Sequence, residues 1–255
     1  PAPTSTWLSP REWILVLIAA FVWAAFNAAY LVWASFAADV LTSRGMNGVE
    51  AASIVSVASW LLIASGALAG VIADRTGRAG LVLTVCMAVA IACLVALPWP
   101  GWALPVSIAA GLIGFAPAGL VMALTGEAMA PHKRAFGMGV FFSAWFLMTA
   151  PAPAIAGWLR DRTGDAYAPM IFAIVAIVLT VAGYGAFRWA AIALKPRDPK
   201  AHYNRGWAKH TAGDWEEAVR DYEQALAFAP LDWPWRDLVV RNLATARTRL
   251  PGAGG

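Results

Sequence analysis

The chain has 255 residues, of which 60% are hydrophobic and 13% charged, and its mean hydropathy is +0.62. A soluble domain has roughly 45–50% apolar and about 25% charged residues; a chain of this size cannot hide the excess in one aqueous core, so the excess belongs in lipid. The net charge of +4 and the isoelectric point near 9.4 come without a dense basic run, which excludes a nucleic-acid partner and fits Lys and Arg flanking membrane spans.

A span needs about 20 mostly apolar residues. The first runs from Trp13 to Ala38 and ends at DVLTSRGMNG, a turn rich in Gly and Asn. The stretch before it, PAPTSTWLSP, is not basic, so this run reads as a span rather than a cleaved signal. The second runs from Val49 to Ala73. The third, Leu81 to Leu97, holds Cys86 and Cys93, which read as two core thiols too far apart to bridge. It stops at PWPGW, where prolines and a glycine break the helix and two Trp suit the lipid–water interface. The fourth runs from Ala103 to Thr125, the fifth from Ala135 to Leu159 and the sixth from Ala168 to Leu194.

Charge becomes frequent and mixed from Lys195 onward. The division is therefore an N-terminal segment (1–12), a six-span membrane domain (13–194) and a tail (195–255). Arg11, Arg75, Arg78, Lys133, Arg134, Lys195, Arg197 and Lys200 fall on one side of the membrane, against Arg44, Arg160 and Arg162 on the other. The positive-inside rule then puts both termini in the cytoplasm, in a membrane of the bacterial inner type.

One cluster occurs twice. Gly70 to Gly80 reads GVIADRTGRAG and Gly157 to Asp165 reads GWLRDRTGD, each with Gly-x-x-x-Asp-Arg-Thr-Gly. The first follows span two and the second span five, so two inverted triplets of helices are expected unless turn composition alone repeats itself. Asp74 and Asp161 can accept from an exposed helix N-terminus, and Arg75 and Arg78 can pair with carboxylates or last-turn carbonyls. Gly77 and Gly164 permit a tight reversal. With Arg162, these residues form either a conformational latch or a static loop clamp.

GALAGVIADRTGR resembles the loop motif between the second and third helices of a half in major facilitator superfamily transporters. PHKRAFGMGVFFSAWFLMTAPAPAIAGWLRDRTGDAYAPMIF is similar to the eleventh-helix region of that superfamily, most of all in its cyanate-transporter-like anion permeases. The resemblance covers spans one to six and fits a C-terminal half. It implies an all-α polytopic membrane protein, its six helices a 3+3 inverted repeat. It also implies a path for a small anionic solute, lined by spans one and four and by a second six-span half or copy.

Few polar residues fall inside the spans, and each is a functional candidate. Asn27 lies mid-way along span one with Trp23, Tyr30 and Trp33 at helical spacings, either lining a cavity or packed against a neighbouring helix. Span four, GLIGFAPAGLVMALTGE, has glycines and a proline that allow close approach or a bend. Glu127 and His132 form either a proton relay or solvated loop charges. The three His show no metal-ligand spacing, and neither a nucleophile elbow nor a phosphate-binding Lys loop is present. No enzyme, metal or cofactor is implied.

The tail segment Pro199 to Pro230 reads as a helical hairpin punctuated by Gly213 and Asp214, with Asp214 placed to cap its second helix. It resembles one tetratricopeptide repeat, with Tyr203, Gly206, Ala218, Tyr222, Ala225 and Pro230 in packing roles. A third helix, Trp235 to Leu250, puts Val239, Leu243, Ala246 and Leu250 on one face. A lone repeat cannot bury its concave face, so it docks on the span ends, on a second copy or on a cytoplasmic protein. The sequence thus carries two functions: a transport module, or a non-transporting scaffold or accessory subunit of a larger membrane complex.

Overall fold

The computed structural model describes residues 7–194 and 198–250. Lys195 and Arg197, used in the charge count above, lie outside the described residues. The described chain is all-α, with no strand, and has six helical segments long and apolar enough to cross a membrane. Two compact units share it: Pro1–Arg75 with Val82–Tyr184, and Thr76–Leu81 with Gly185–Gly255.

In the first unit α1 (Pro10–Ser43) opens with a capping box. Ser9 Oγ accepts from the Glu12 N–H, while the Glu12 carboxylate accepts from the Ser9 N–H at 2.8 Å. Pro10 at the first helical position has no donor to leave orphaned. The helix closes where Gly45 takes φ +93 and the Met46 N–H returns to the Leu41 carbonyl, the glycine stop expected of this turn. The spans α2 (Gly48–Thr76) and α3 (Ala79–Ala96) follow, and Cys86 and Cys93 are buried free thiols on α3. After α3, Trp99 and Trp102 stand exposed around a short 3₁₀ turn.

Spans four and five are broken helices. The fourth is α4 (Ala103–Ala109), a π-turn at Ala110–Gly114, and α5 (Ala118–Ala128). The Phe115 N–H reaches back five residues to the Ala110 carbonyl, and Pro117, with no N–H to offer, prevents the regular ladder from resuming at once. The fifth is α6 (Arg134–Thr149) and α7 (Ala152–Thr163), parted at Ala150 and Pro151. The sixth is α8 (Ala168–Leu194).

The core of this unit is α1. It packs against α5, α6 and α7. Of its most apolar window 56% is buried, against 22% for α2 and 17% for span five, whose exposed Trp60, Ile63, Leu68, Phe146 and Leu147 suit lipid. Span four reaches its neighbours through glycine. A Cβ at Gly111 would lie 2.7 Å from the Ala58 Cα, and one at Gly114 3.1 Å from the Ala90 Cα. At the same crossing the buried Ser65 hydroxyl donates to the Gly111 carbonyl at 2.6 Å, taking up an acceptor near the π-turn.

The second unit contains α9 (Pro199–Ala212), α10 (Trp215–Phe228) and α11 (Arg236–Thr248). Asp198 caps α9 by accepting from the Lys200 and Ala201 N–H groups, and Gly213, at φ +86, ends it. Asp214 sits at the start of α10, yet its side chain makes no capping hydrogen bond, contrary to the role expected of it. The Ala218 N–H is met by the Asp214 backbone carbonyl instead. Tyr203, Ala218, Tyr222, Ala225, Val239, Leu243 and Ala246 form the core of the three helices.

Gly111→Val drives a branched side chain into backbone that cannot move aside, at a cost of about 1–3 kcal/mol. The detergent-solubilised variant is expected to unfold at a lower temperature than Gly70→Val, whose Cβ position is open. Equal melting of the two variants would refute the close crossing.

Candidate functional site

Two ion pairs fix α1 against span five. Near its start, the buried Glu12 carboxylate accepts from Lys133 Nζ at 2.7 Å and from the Ala130 N–H at 3.0 Å, besides its capping bonds to Ser9. Each oxygen is therefore matched by donors, which offsets the cost of removing the charge from water. Near its end, Asp39 accepts a two-pronged contact from Arg160, with Nη2 to Oδ1 at 3.0 Å. Both pairs are 121 residues apart in sequence. The two helices accordingly run parallel in a fixed register.

Between the clamps, one side of α1 carries the polar and aromatic candidates. Trp23 stacks on Phe26 with ring centroids 5.8 Å apart and meets Trp145 of α6 at 6.3 Å. Asn27 donates through Nδ2 to the Trp23 carbonyl at 2.8 Å, which leaves its amide oxygen for another donor. The Tyr30 hydroxyl donates to Ser59 of α2 at 3.0 Å. Trp23, Asn27 and Tyr30 are half-buried. Trp33 is fully buried with its ring 6.1 Å from Phe115, so it backs this face rather than opening onto it. Phe115, placed by the π-turn of span four, also meets Phe26 and Tyr30 edge-on. Spans one and four therefore meet through an aromatic cluster with an amide at its margin.

The repeated cluster adopts one turn geometry in two settings. Gly77 has φ +66 and Gly164 φ +68, the left-handed conformation that makes glycine the default residue there. At the second copy the Gly164 N–H closes α7 on the Arg160 carbonyl, and Asp161 and Arg162 are exposed. The side chain that reaches another helix is Arg160, one position before the motif's aspartate. At the first copy Asp74 and Arg75 are exposed at the end of α2. Gly77 and Arg78 belong to the second unit, where the Arg78 guanidinium carbon lies 3.8 Å over the Trp207 ring. Arg78 thus rests on an aromatic face, whereas the sequence suggested a carboxylate or a carbonyl.

A family model for the Major Facilitator Superfamily matches residues 13–246. The chain belongs to this superfamily. A search of the curated proteins and a search of the solved structures each returned no match. In facilitator terms, the aromatic face of α1 and the bent span four fall on the two helices that the sequence resemblance assigns to the solute path. The superfamily match extends past α8 and takes in α9, α10 and most of α11.

Sequence reasoning missed the two clamps. Their signal was present: α1 carries two acids, one near each end, and a base stands 121 residues after each, Lys133 just before span five and Arg160 within it. In the α9–α10 hairpin Tyr203, Gly206, Ala218, Tyr222 and Ala225 are buried, and Pro230 is an exposed turn residue. Gly206 lets α9 approach α10, since a Cβ there would stand 2.9 Å from the Tyr222 ring. Sequence reasoning also overlooked the buried Asp221, which accepts two-pronged contacts from Arg205 and lies 3.4 Å from Lys209.

Two outcomes follow from these contacts. Arg160→Ala and Asp39→Ala each lower the unfolding temperature of the facilitator domain, and the charge-exchanged double variant Asp39→Arg, Arg160→Asp recovers most of the loss. A double variant no better than the singles would rule out the pairing as the cause. In the hairpin, His210 is held below the ordinary imidazole pKa by burial and then by the Arg78 charge. The unfolded tail therefore takes up the extra proton as pH falls through about 6.5, and stability present above that point is lost on the acid side. Hydrogen-exchange protection of α9 and α10 should fall between pH 7 and about 5.5, and His210→Gln should flatten that fall; an unaltered slope would exclude His210.

Proposed function

We propose that the chain is a six-span transport module of the facilitator type that moves a small anionic solute, completed by a second six-span half or a second copy of itself. Superfamily membership across residues 13–246 supports the transport class. The observation that carries the reading further is the half-buried face of Trp23, Asn27 and Tyr30 on the best-buried helix of the first unit, with Trp33 behind it. The Trp23 indole N–H, which has no partner among the described residues, and the second Asn27 N–H suit a small, weakly hydrated anion, which is attracted to N–H donors and to the positive edges of aromatic rings. The anion class rests on the likeness to the cyanate-transporter-like permeases.

In this reading both termini are cytoplasmic, the two triplets are related by inverted symmetry, and the protein resides in a bacterial inner membrane. The exposed Asp74 and Arg75, with Gly77 and Arg78, form the cytoplasmic latch, and Asp161, Arg162 and Gly164 form its counterpart on the outer side. A second reading is a non-transporting scaffold or accessory subunit. It is favoured by α9 and α10, read as a single tetratricopeptide repeat that docks a cytoplasmic protein, next to which Leu231 stands 88% exposed.

Proteoliposomes holding the chain with its co-purifying six-span partner, or as a homo-oligomer, should show counterflow of labelled cyanate or another small monovalent anion above protein-free vesicles. Asp74→Asn and Arg78→Ala should each abolish that flux at unchanged membrane abundance; unchanged flux in both would remove the latch. Recovery of the chain in stoichiometric complex with non-transport proteins, without flux, would favour the scaffold.

A further inference from the structure

Residues Thr76–Leu81, which run from the last residue of α2 through the Gly77–Arg78 loop into the first turn of α3, cluster with the C-terminal helices in the second unit. The loop is seated closely there. A Cβ at Gly77 would come 2.8 Å from Leu238 Cδ2 and 3.7 Å from the Tyr203 hydroxyl, so the turn lies against α9 and α11, and its φ of +66 favours glycine. The next residue, Arg78, is half-buried and lays its guanidinium on the Trp207 ring. His210 stacks on the same indole at 5.1 Å and meets Trp215 and Tyr222 edge-on. The Arg78 charge also lowers the pKa of His210, after the larger effect of burial.

Two further features mark this face as a recognition site. The buried His210 Nδ1 and Tyr222 hydroxyl have no hydrogen-bond partner among the described residues, so acceptor capacity is left beside the rings. The nearby carboxylates are engaged elsewhere: Asp221 with Arg205, and Glu217 with Lys209. Among the described residues the Arg78 charge is therefore met by the Trp207 π face rather than by a carboxylate. Such a surface favours a planar, weakly hydrated guanidinium over a compact ammonium.

We propose that this face of the α9–α10 hairpin is a guanidinium-binding site whose ligand is Arg78 of the loop between α2 and α3. Loop capture by the hairpin and any latch role of Arg78 then compete for one side chain. An arginine presented by another segment would displace Arg78 and release the loop. The site does not depend on transport, and its test reads binding alone.

The test is hydrogen exchange of the full chain in detergent, followed in peptides covering α9 and α10. Arg78→Ala should raise exchange there about fivefold, the range of a half-exposed cation–π contact, and Arg78→Lys should recover only a minor part. Millimolar ethylguanidinium should restore protection in Arg78→Ala, and ethylammonium should not. Adding Trp207→Leu should abolish the rescue, while Trp207→Phe, which keeps a ring, should retain it. The proposal is overturned if Arg78→Ala exchanges like the parent chain, if Arg78→Lys is fully protected, or if the two cations rescue equally or not at all. Should Trp207→Leu fail to fold, Arg78→Lys and the two-cation comparison decide alone, because neither alters the hairpin.

Discussion

The parallel register of α1 and span five is the constraint on which the first unit rests. Lipid offers no hydrophobic drive between helices, because its tails are as apolar as the side chains. Directional contacts must therefore fix how the helices align. Glu12 with Lys133 and Asp39 with Arg160 do so from opposite ends of α1. The clamps stand about 40 Å apart at the helical rise per residue, close to the thickness of a bilayer with its headgroups. The charges thus fall where water and headgroups reach, and the apolar stretch between them avoids the cost of ions at mid-depth.

A helix fixed in this way sets the geometry of what packs on it. Span four cannot be a straight rod, because it must meet α2 and α3 through Gly111 and Gly114 while presenting Phe115 to α1. The π-turn and Pro117 provide the bend, and Ser65 satisfies a carbonyl beside it. Irregular backbone at membrane depth is tolerated where protein side chains take up its polar groups. Order at the clamps and adaptability in span four therefore lie on neighbouring helices of one unit.

The six spans were legible because apolar runs and Gly/Pro stops are local signals, and lipid burial depends on little else. The breaks inside spans four and five were only partly legible: the prolines announced irregularity, whereas a π-turn at Ala110–Gly114 reflects packing on α2 and α3. Gly77 and Gly164 read in the sequence as residues that permit a tight reversal, and both take a positive φ. Pairing is hidden in the sequence, since Arg160 and Lys133 read as topology markers while their partners lie 121 residues away. Asp214 shows the converse limit, as a residue type suited to capping can start a helix without capping it. Helical spacing puts Trp23, Asn27, Tyr30 and Trp33 on one face of α1 but does not carry the burial that separates Trp33 from Trp23.

The two clamps also bear on how the protein meets membranes of unequal thickness. A pair of helices held only by apolar packing can slip along each other by a turn to match the hydrocarbon. Here, slippage by one turn would break both ion pairs at once and strand four charges near the headgroups. Hydrophobic mismatch must then be absorbed by tilting α1 and span five as one body, or by thinning the surrounding lipid.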